Sequence, residues 1–202
     1  VRAHPISFDA LVGELVERID GVAGRVRVVV DGAPAAEPGR LAEALVDPLR
    51  VLGRGVVRVS AGDFLRPASL RLEFGREDPD VFYDDWLDLK ALRREVLEGR
   101  DGRVLPKLWD AAADRAYRVP YEELPANGVI VVDGALLLGR GLPFEVSAHL
   151  WLSGRALARR TPQEQEWTLP AYERYEREAR PRQIADVVIK ADDPRHLARV
   201  IG

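Results

Sequence analysis

The chain has 202 residues, 47% of them hydrophobic and 31% charged, with a formal net charge of −3. That length gives ample material for a buried core, and the small net charge argues against a nucleic-acid surface or a polybasic membrane patch. No run of about 18 apolar residues is present to span a bilayer, and zero cysteines exclude disulfides, thiolate metal sites and a cysteine nucleophile. The first twenty residues carry scattered charges and no uninterrupted apolar stretch, so they do not read as a secretory signal; a cytoplasmic location is the default expectation. Ser7 is placed as an N-cap, and Phe8, Leu11, Val12, Leu15, Val16 and Ile19 line one helical face, ended by Gly21 and Gly24. This predicts an N-terminal helix within 1–24. The valine run over 26–31 predicts a strand buried on both faces. A helix from about 40 to 51 and a strand over 55–60 follow. The stretch 88–99 predicts a helix capped by Asp88 and stopped by Gly99. The least regular part, 100–126, reads as a protruding β-hairpin. Three further strands are expected over 128–138, 146–153 and 185–191, with helical stretches near 154–160, 169–179 and 193–201. Strands alternating with helices predict an α/β fold in one domain, with a mainly parallel five-stranded sheet.

The stretch "RVRVVVDGAPAAEPGRLAEALVDPL" (25–49) has the outline of a phosphate-binding strand, loop and helix. A working loop, G-x-x-x-x-G-K-[ST], wraps phosphates with main-chain N–H groups at a helix N-terminus. Its Lys neutralises phosphate charge and its hydroxyl holds Mg²⁺. With Gly32 as the first glycine and no gaps, Glu37 stands for the second glycine, Pro38 for the lysine and Gly39 for the hydroxyl. Glu37 would set a carboxylate beside a polyphosphate, and two like charges about 4 Å apart repel by roughly 4 kcal/mol at an effective dielectric near 20. Pro38 removes an N–H and the cation together. Two other readings stay open. Pro38 and Glu37 suit an ordinary helix start. Alternatively, a two-residue insertion lets Gly39-Arg40 replace Gly-Lys, with Arg40 binding phosphate through its fork, although Leu41 then offers Mg²⁺ no hydroxyl.

The segments "VVVDGAPAA", "VVRVSAGDFLRP", "VFYDDWLDLKALRREVL", "KLWDAAADRAY", "VIVVDGALLL" and "YEREARPRQIADVVIKADDP" follow one another in an order that resembles the uridine kinase-like branch of the P-loop nucleoside kinases. The resemblance runs over most of the chain, and "FYDDWLDLKAL" and the final stretch are its most specific parts. It implies a P-loop NTPase-type three-layer sandwich with a hairpin insertion at 100–126 and a lid-like region at 153–182. It implies Mg-ATP as phosphate donor if the chain is active, and no cofactor otherwise. The partner would be a nucleoside or other small molecule; no nucleic acid or membrane is implied, and a homo-oligomer is compatible with it.

Carried over by resemblance, Gly32, Ala33, Ala35, Ala36, Gly39 and Arg40 would surround the nucleotide, with Arg155 and Arg159 closing from the lid. Asp63 would act as base, one residue late, because Gly62 stands where the family has its acid. Asp133 would orient Mg²⁺ through water, and Arg182 would stabilise charge in transfer. Phe64, Tyr83, Trp109 and Asp110 would lie near the acceptor. Each has a plainer reading. Asp63 can cap a turn, and Asp31 and Asp133 can be strand-end Asp-Gly turns. The aromatics can anchor the hairpin, and the arginines can simply be solvated. His4, His149 and His196 are scattered without metal-ligand spacing, so no metal ligands are assigned. The chain is therefore expected to be a uridine kinase-like protein whose ATP transfer is impaired, or a non-catalytic relative that keeps the fold to bind a small ligand or a protein.

Overall fold

A computed structural model describes residues 2–201. The chain begins with strand β1 (Arg2–Ile6) and helix α1 (Phe8–Asp20), followed by β2 (Val26–Gly32), α2 (Pro38–Val51) and β3 (Val56–Ser60). Three short helices come next, α3 (Ala68–Arg71), α4 (Pro79–Asp85) and α5 (Leu89–Leu92), the last continuing into a π turn over Arg93–Leu97. Two small ribbons follow, β4 (Arg103–Val104) with β7 (Glu122–Glu123), and inside them β5 (Trp109–Asp110) with β6 (Arg115–Ala116). The chain then forms β8 (Val129–Gly134), β9 (Val146–Trp151), α6 (Gly154–Arg160), α7 (Leu169–Glu178), α8 (Pro181–Ile184), β10 (Val187–Lys190) and β11 (Leu197–Ile201).

Seven strands make the main sheet in the order β1-β11-β10-β9-β2-β8-β3. The five from β10 to β3 are parallel, and β11 and β1 add an antiparallel edge. Side chains alternate across β2. Val26, Val28 and Val30 pack with Leu11, Leu15 and Ile19 of α1 and Leu41, Leu45 and Leu49 of α2. Val29 points to the other face, where α5 and α7 bring Leu92, Ala171 and Tyr175. The result is three layers with one apolar core on each side of the sheet. Asp31 shares the face of Val29, so the pleat itself aims it toward α7.

The helix starts obey local chemistry. Ser7 accepts a hydrogen bond from the N–H of Ala10 at 3.1 Å, as its predicted cap role requires. We expect Ser7→Ala to cost about 1 kcal/mol in urea denaturation; an unchanged midpoint would show that the cap contributes nothing.

Three expectations need correction. Among the described residues the sheet has seven strands rather than five, because Arg2–Ile6 and Leu197–Ile201 add to it. The segment near 193–201 is strand β11 and not a helix: His196 N–H bonds Asp193 O at 3.1 Å in a turn, and the following residues pair with β10 and β1. Its sequence, Leu-Ala-Arg-Val-Ile, suits either period. The strand expected over 128–138 stops at Gly134, where φ is +156°. There a Cβ would come within 2.6 Å of the Ala61 Cβ, so glycine is required where β8 meets the loop after β3. The hairpin expected in 100–126 is present as the two ribbons.

Candidate functional site

A cavity of about 570 Å³ opens at the C-terminal ends of β2, β3 and β8, the place where open parallel sheets commonly bind ligands. Gly32, Ser60 and Asp133 mark the three strand ends, and the Pro38–Arg40 start of α2 forms one side. The opposite side is aromatic. Phe82 meets Trp86 at 5.2 Å and Trp167 at 5.5 Å between ring centroids, both edge-on, and Tyr172 at 6.0 Å. Phe82, Trp86 and Tyr172 line the cavity with Leu65, Leu87 and Leu136.

The loop from Gly32 to Arg40 is folded onto itself. Pro34 and Pro38 have no N–H. The N–H of Ala36 bonds Ala33 O at 2.8 Å, that of Glu37 bonds Pro34 O at 3.0 Å, and that of Arg40 bonds Glu37 O at 3.0 Å. Ala33, Ala35 and Gly39 are the N–H positions this leaves, too few and too scattered for the continuous amide cradle that a polyphosphate needs. Glu37 itself sits in the left-handed region, φ +57° and ψ +50°. That backbone shape suits glycine better than a residue with a side chain.

An arginine that sequence reasoning overlooked fills the neighbouring space. Arg58 of β3 reaches Asp133 Oδ1 with Nη2 at 2.8 Å and Glu43 of α2 with Nη1 at 3.1 Å. The contact with Asp133 is ionic without hydrogen-bond alignment, and Arg58 Nε and Asp133 Oδ1 are buried without hydrogen-bond partners. Burial raises the Asp133 pKa, with Arg58 opposing that rise. A Cβ on Gly39 would lie 3.0 Å from Arg58 Nη2 and 3.1 Å from Asp133 Oδ2, so the helix start is pressed against this pair. The residues present therefore do not fit Mg-ATP held in the manner of a P-loop. Three of the loop's amides are spent and two are missing, an acid and an imino acid flank the turn, and a guanidinium already accompanies the acid that would face the metal.

The other residues singled out by resemblance are dispersed. Gly62, rather than Asp63, lines the cavity; the Asp63 carboxylate lies 3.7 Å from Lys107 Nζ near the hairpin. Phe64 is fully buried in the core and does not line the cavity. Tyr83 is buried beneath the guanidinium groups of Arg140 and Arg174, 4.9 and 4.3 Å from its ring. Asp110 closes the hairpin turn by accepting from the N–H groups of Ala112 and Ala113, and Trp109 Nε1 donates to Asp114. Gly32, Gly39 and Arg40 do line the cavity, with the Arg40 guanidinium 4.3 Å over the Phe8 ring. Ala33 and Ala35 lie in the loop, and Ala36 packs into the core. Arg155 and Arg159 are exposed on α6. Arg182 pairs with Glu176 at 2.8 Å, outside this cavity.

Behind Tyr172 and Leu136, a second group was missed by sequence. His149 of β9 and Asp31 of β2 are neighbours in the parallel register, and His149 Nδ1 lies 2.7 Å from Asp31 Oδ2. Asp31 is fully buried and also accepts from Tyr175 Oη at 3.1 Å and from the N–H of Leu137 at 2.9 Å. The isolated histidine in an apolar strand was the available signal.

No family model matches the chain, and no curated protein matches it. Solved structures do. A possible uridine kinase from Bacillus stearothermophilus superposes with a TM-score of 0.72 at 20% identity, over 88% of this chain and 96% of that one. A protein provisionally assigned as a fructose transport system kinase from Silicibacter sp. TM1040 gives 0.59 at 23% identity, over 89% and 95%. The YGR205w protein gives 0.55 at 13% identity, over 96% of both chains. At these identities the likeness is one of fold alone.

Proposed function

We propose that this chain is a uridine kinase-like protein that has given up phosphoryl transfer from ATP and keeps the fold to bind a small molecule at the C-terminal ends of its sheet. The reading rests on the closure of the Gly32–Arg40 loop, where the N–H groups of Ala36, Glu37 and Arg40 bond within the loop and Pro34 and Pro38 have none. It is supported from the opposite side by Arg58, which supplies Asp133 with a permanent internal cation. Charge stabilisation and positioning make up nearly all of phosphoryl-transfer catalysis, and both depend on groups that this loop lacks. The aromatic wall of Phe82, Trp86 and Tyr172 suits a ligand with an apolar or flat body.

Calorimetry with Mg-ATP and Mg-GTP is expected to show no binding below millimolar concentration. A phosphoryl-transfer assay across a panel of nucleosides is expected to show no turnover. Micromolar affinity for Mg-ATP, or any transfer that depends on added Mg²⁺, would overturn the proposal. Quenching of the Trp86 and Trp167 fluorescence by flat apolar compounds, unaffected by Mg-ATP, is the expected positive sign of the retained cavity.

A further inference from the structure

A second cavity, of about 340 Å³, lies between the end of β9 and the helices α6 and α7, with Leu136 and Tyr172 as its common wall with the first. We propose that it is a binding site for a small monocarboxylic acid, whose carboxylate is held by His149 Nε2 and Arg182 in the place that Glu176 takes in the free protein. His149 lines this cavity, is 4% exposed, and has an Nε2 atom that is buried without a hydrogen-bond partner. Its other nitrogen is fixed by Asp31, so the ring cannot turn to satisfy Nε2 elsewhere. Glu176 Oε1 stands 3.4 Å from Nε2, an ionic contact longer than a good hydrogen bond. Glu176 Oε2 accepts from Arg182 Nε at 2.8 Å. One carboxylate thus offers one oxygen to each of two cations, the pose that a bound acid would adopt.

The pieces around this pair favour a single negative charge. Burial would lower the His149 pKa, but the hydrogen bond with Asp31 and the charges of Asp31 and Glu176 outweigh it and hold the value at about 9. The ring is therefore cationic at neutral pH, with both nitrogens carrying protons. Arg182 is anchored over the Trp151 ring at 4.7 Å, which fixes the guanidinium at the cavity mouth. Asp31 already offsets one positive charge from behind, and the exposed Glu173 lies at the rim. A dianion such as phosphate meets that acid unfavourably. Leu152 and Leu157 give an apolar body a surface to cover. Glu176 has a side chain 29% exposed, so it can swing toward water and yield its place without burying a charge.

The test uses the imidazole resonances, since the chain has only three histidines and His4 and His196 are exposed references. Sodium benzoate is titrated at constant ionic strength against sodium phosphate. A saturable shift confined to the His149 Hε1 signal is expected with benzoate, and no saturation with phosphate. Arg182→Gln is expected to weaken benzoate at least tenfold, and Glu176→Gln, which removes the internal competitor's charge, to tighten it at least threefold. Absence of a saturable His149 response in both the wild type and Glu176→Gln overturns the proposal, as does an equal response to phosphate. Should Glu176→Gln fail to fold, the wild type and Arg182→Gln decide the matter between them. The result is independent of whether Mg-ATP binds in the first cavity.

Discussion

Replacing Asp31 with alanine is expected to cost about 3–5 kcal/mol of folding stability, the usual consequence of removing one partner from a buried charged pair. The carboxylate is fully buried and serves three donors, His149 Nδ1 at 2.7 Å, Tyr175 Oη at 3.1 Å and the Leu137 N–H at 2.9 Å. Its loss leaves the imidazolium with only the more distant, part-exposed Glu176 as counter-charge and two neutral donors with no acceptor, inside a low-dielectric core. The damage spreads, because Tyr175 Oη also accepts from the Leu138 N–H at 2.8 Å and so ties α7 to the chain after β8. For a chain of this size each kcal/mol shifts Tm by about 2–4 °C, so a fall near 10 °C is expected in a thermal scan. Asp31→Asn keeps the acceptor oxygen but not the charge and is expected to fall between the two. A loss below about 1 kcal/mol in Asp31→Ala would show that the network is not a structural anchor.

Stability is expected to decline between pH 6.5 and about 9 by about 3 kcal/mol, through His149 alone. The sign follows from its folded-state pKa, which lies above the unfolded value. The folded protein binds the proton more tightly, so the contribution is fully present below pH 6.5 and is lost as pH rises through about 9. Tyr172 and Tyr175, whose pKa values are raised chiefly by burial, extend the loss above pH 10. On the acid side, Glu176 and Glu145 are lowered, partner hydrogen bonds and charges outweighing the burial that would raise them. Their contributions are present above the ordinary carboxylate range and fade as pH falls through their lowered values. A plateau between the carboxylate range and pH 6.5 is therefore expected in urea denaturation at fixed ionic strength. His149→Phe should flatten the alkaline slope; a wild-type curve that stays level to pH 9 would remove His149 from the account.

Much of the fold was legible because its central strands are near-pure valine and isoleucine. Such runs have nowhere to lie but between two layers, and "VRVVV" and "VIVV" needed no tertiary information. The edge was not legible. Arg2–Ile6 contains proline and histidine and has little apolar pattern, and Leu197–Ile201 pairs only because two other strands offer it a register. The site was legible only in part. Glu37 and Pro38 could be read from sequence alone as departures from the phosphate-loop pattern. Arg58, Asp31 and His149 could not, because each owes its meaning to a partner in another strand. Asp31 and His149 are 118 residues apart in the chain and side by side in the sheet.

The packing of Gly39 against Arg58 and Asp133 ties the start of one helix to a buried ion pair between two strands. A side chain at position 39 crowds the guanidinium, so a residue larger than glycine is disfavoured there while Arg58 stays. Removing Arg58 first strands a buried acid. The two positions are therefore coupled: a change at either costs less when the other changes with it, so their substitution energies are expected not to add.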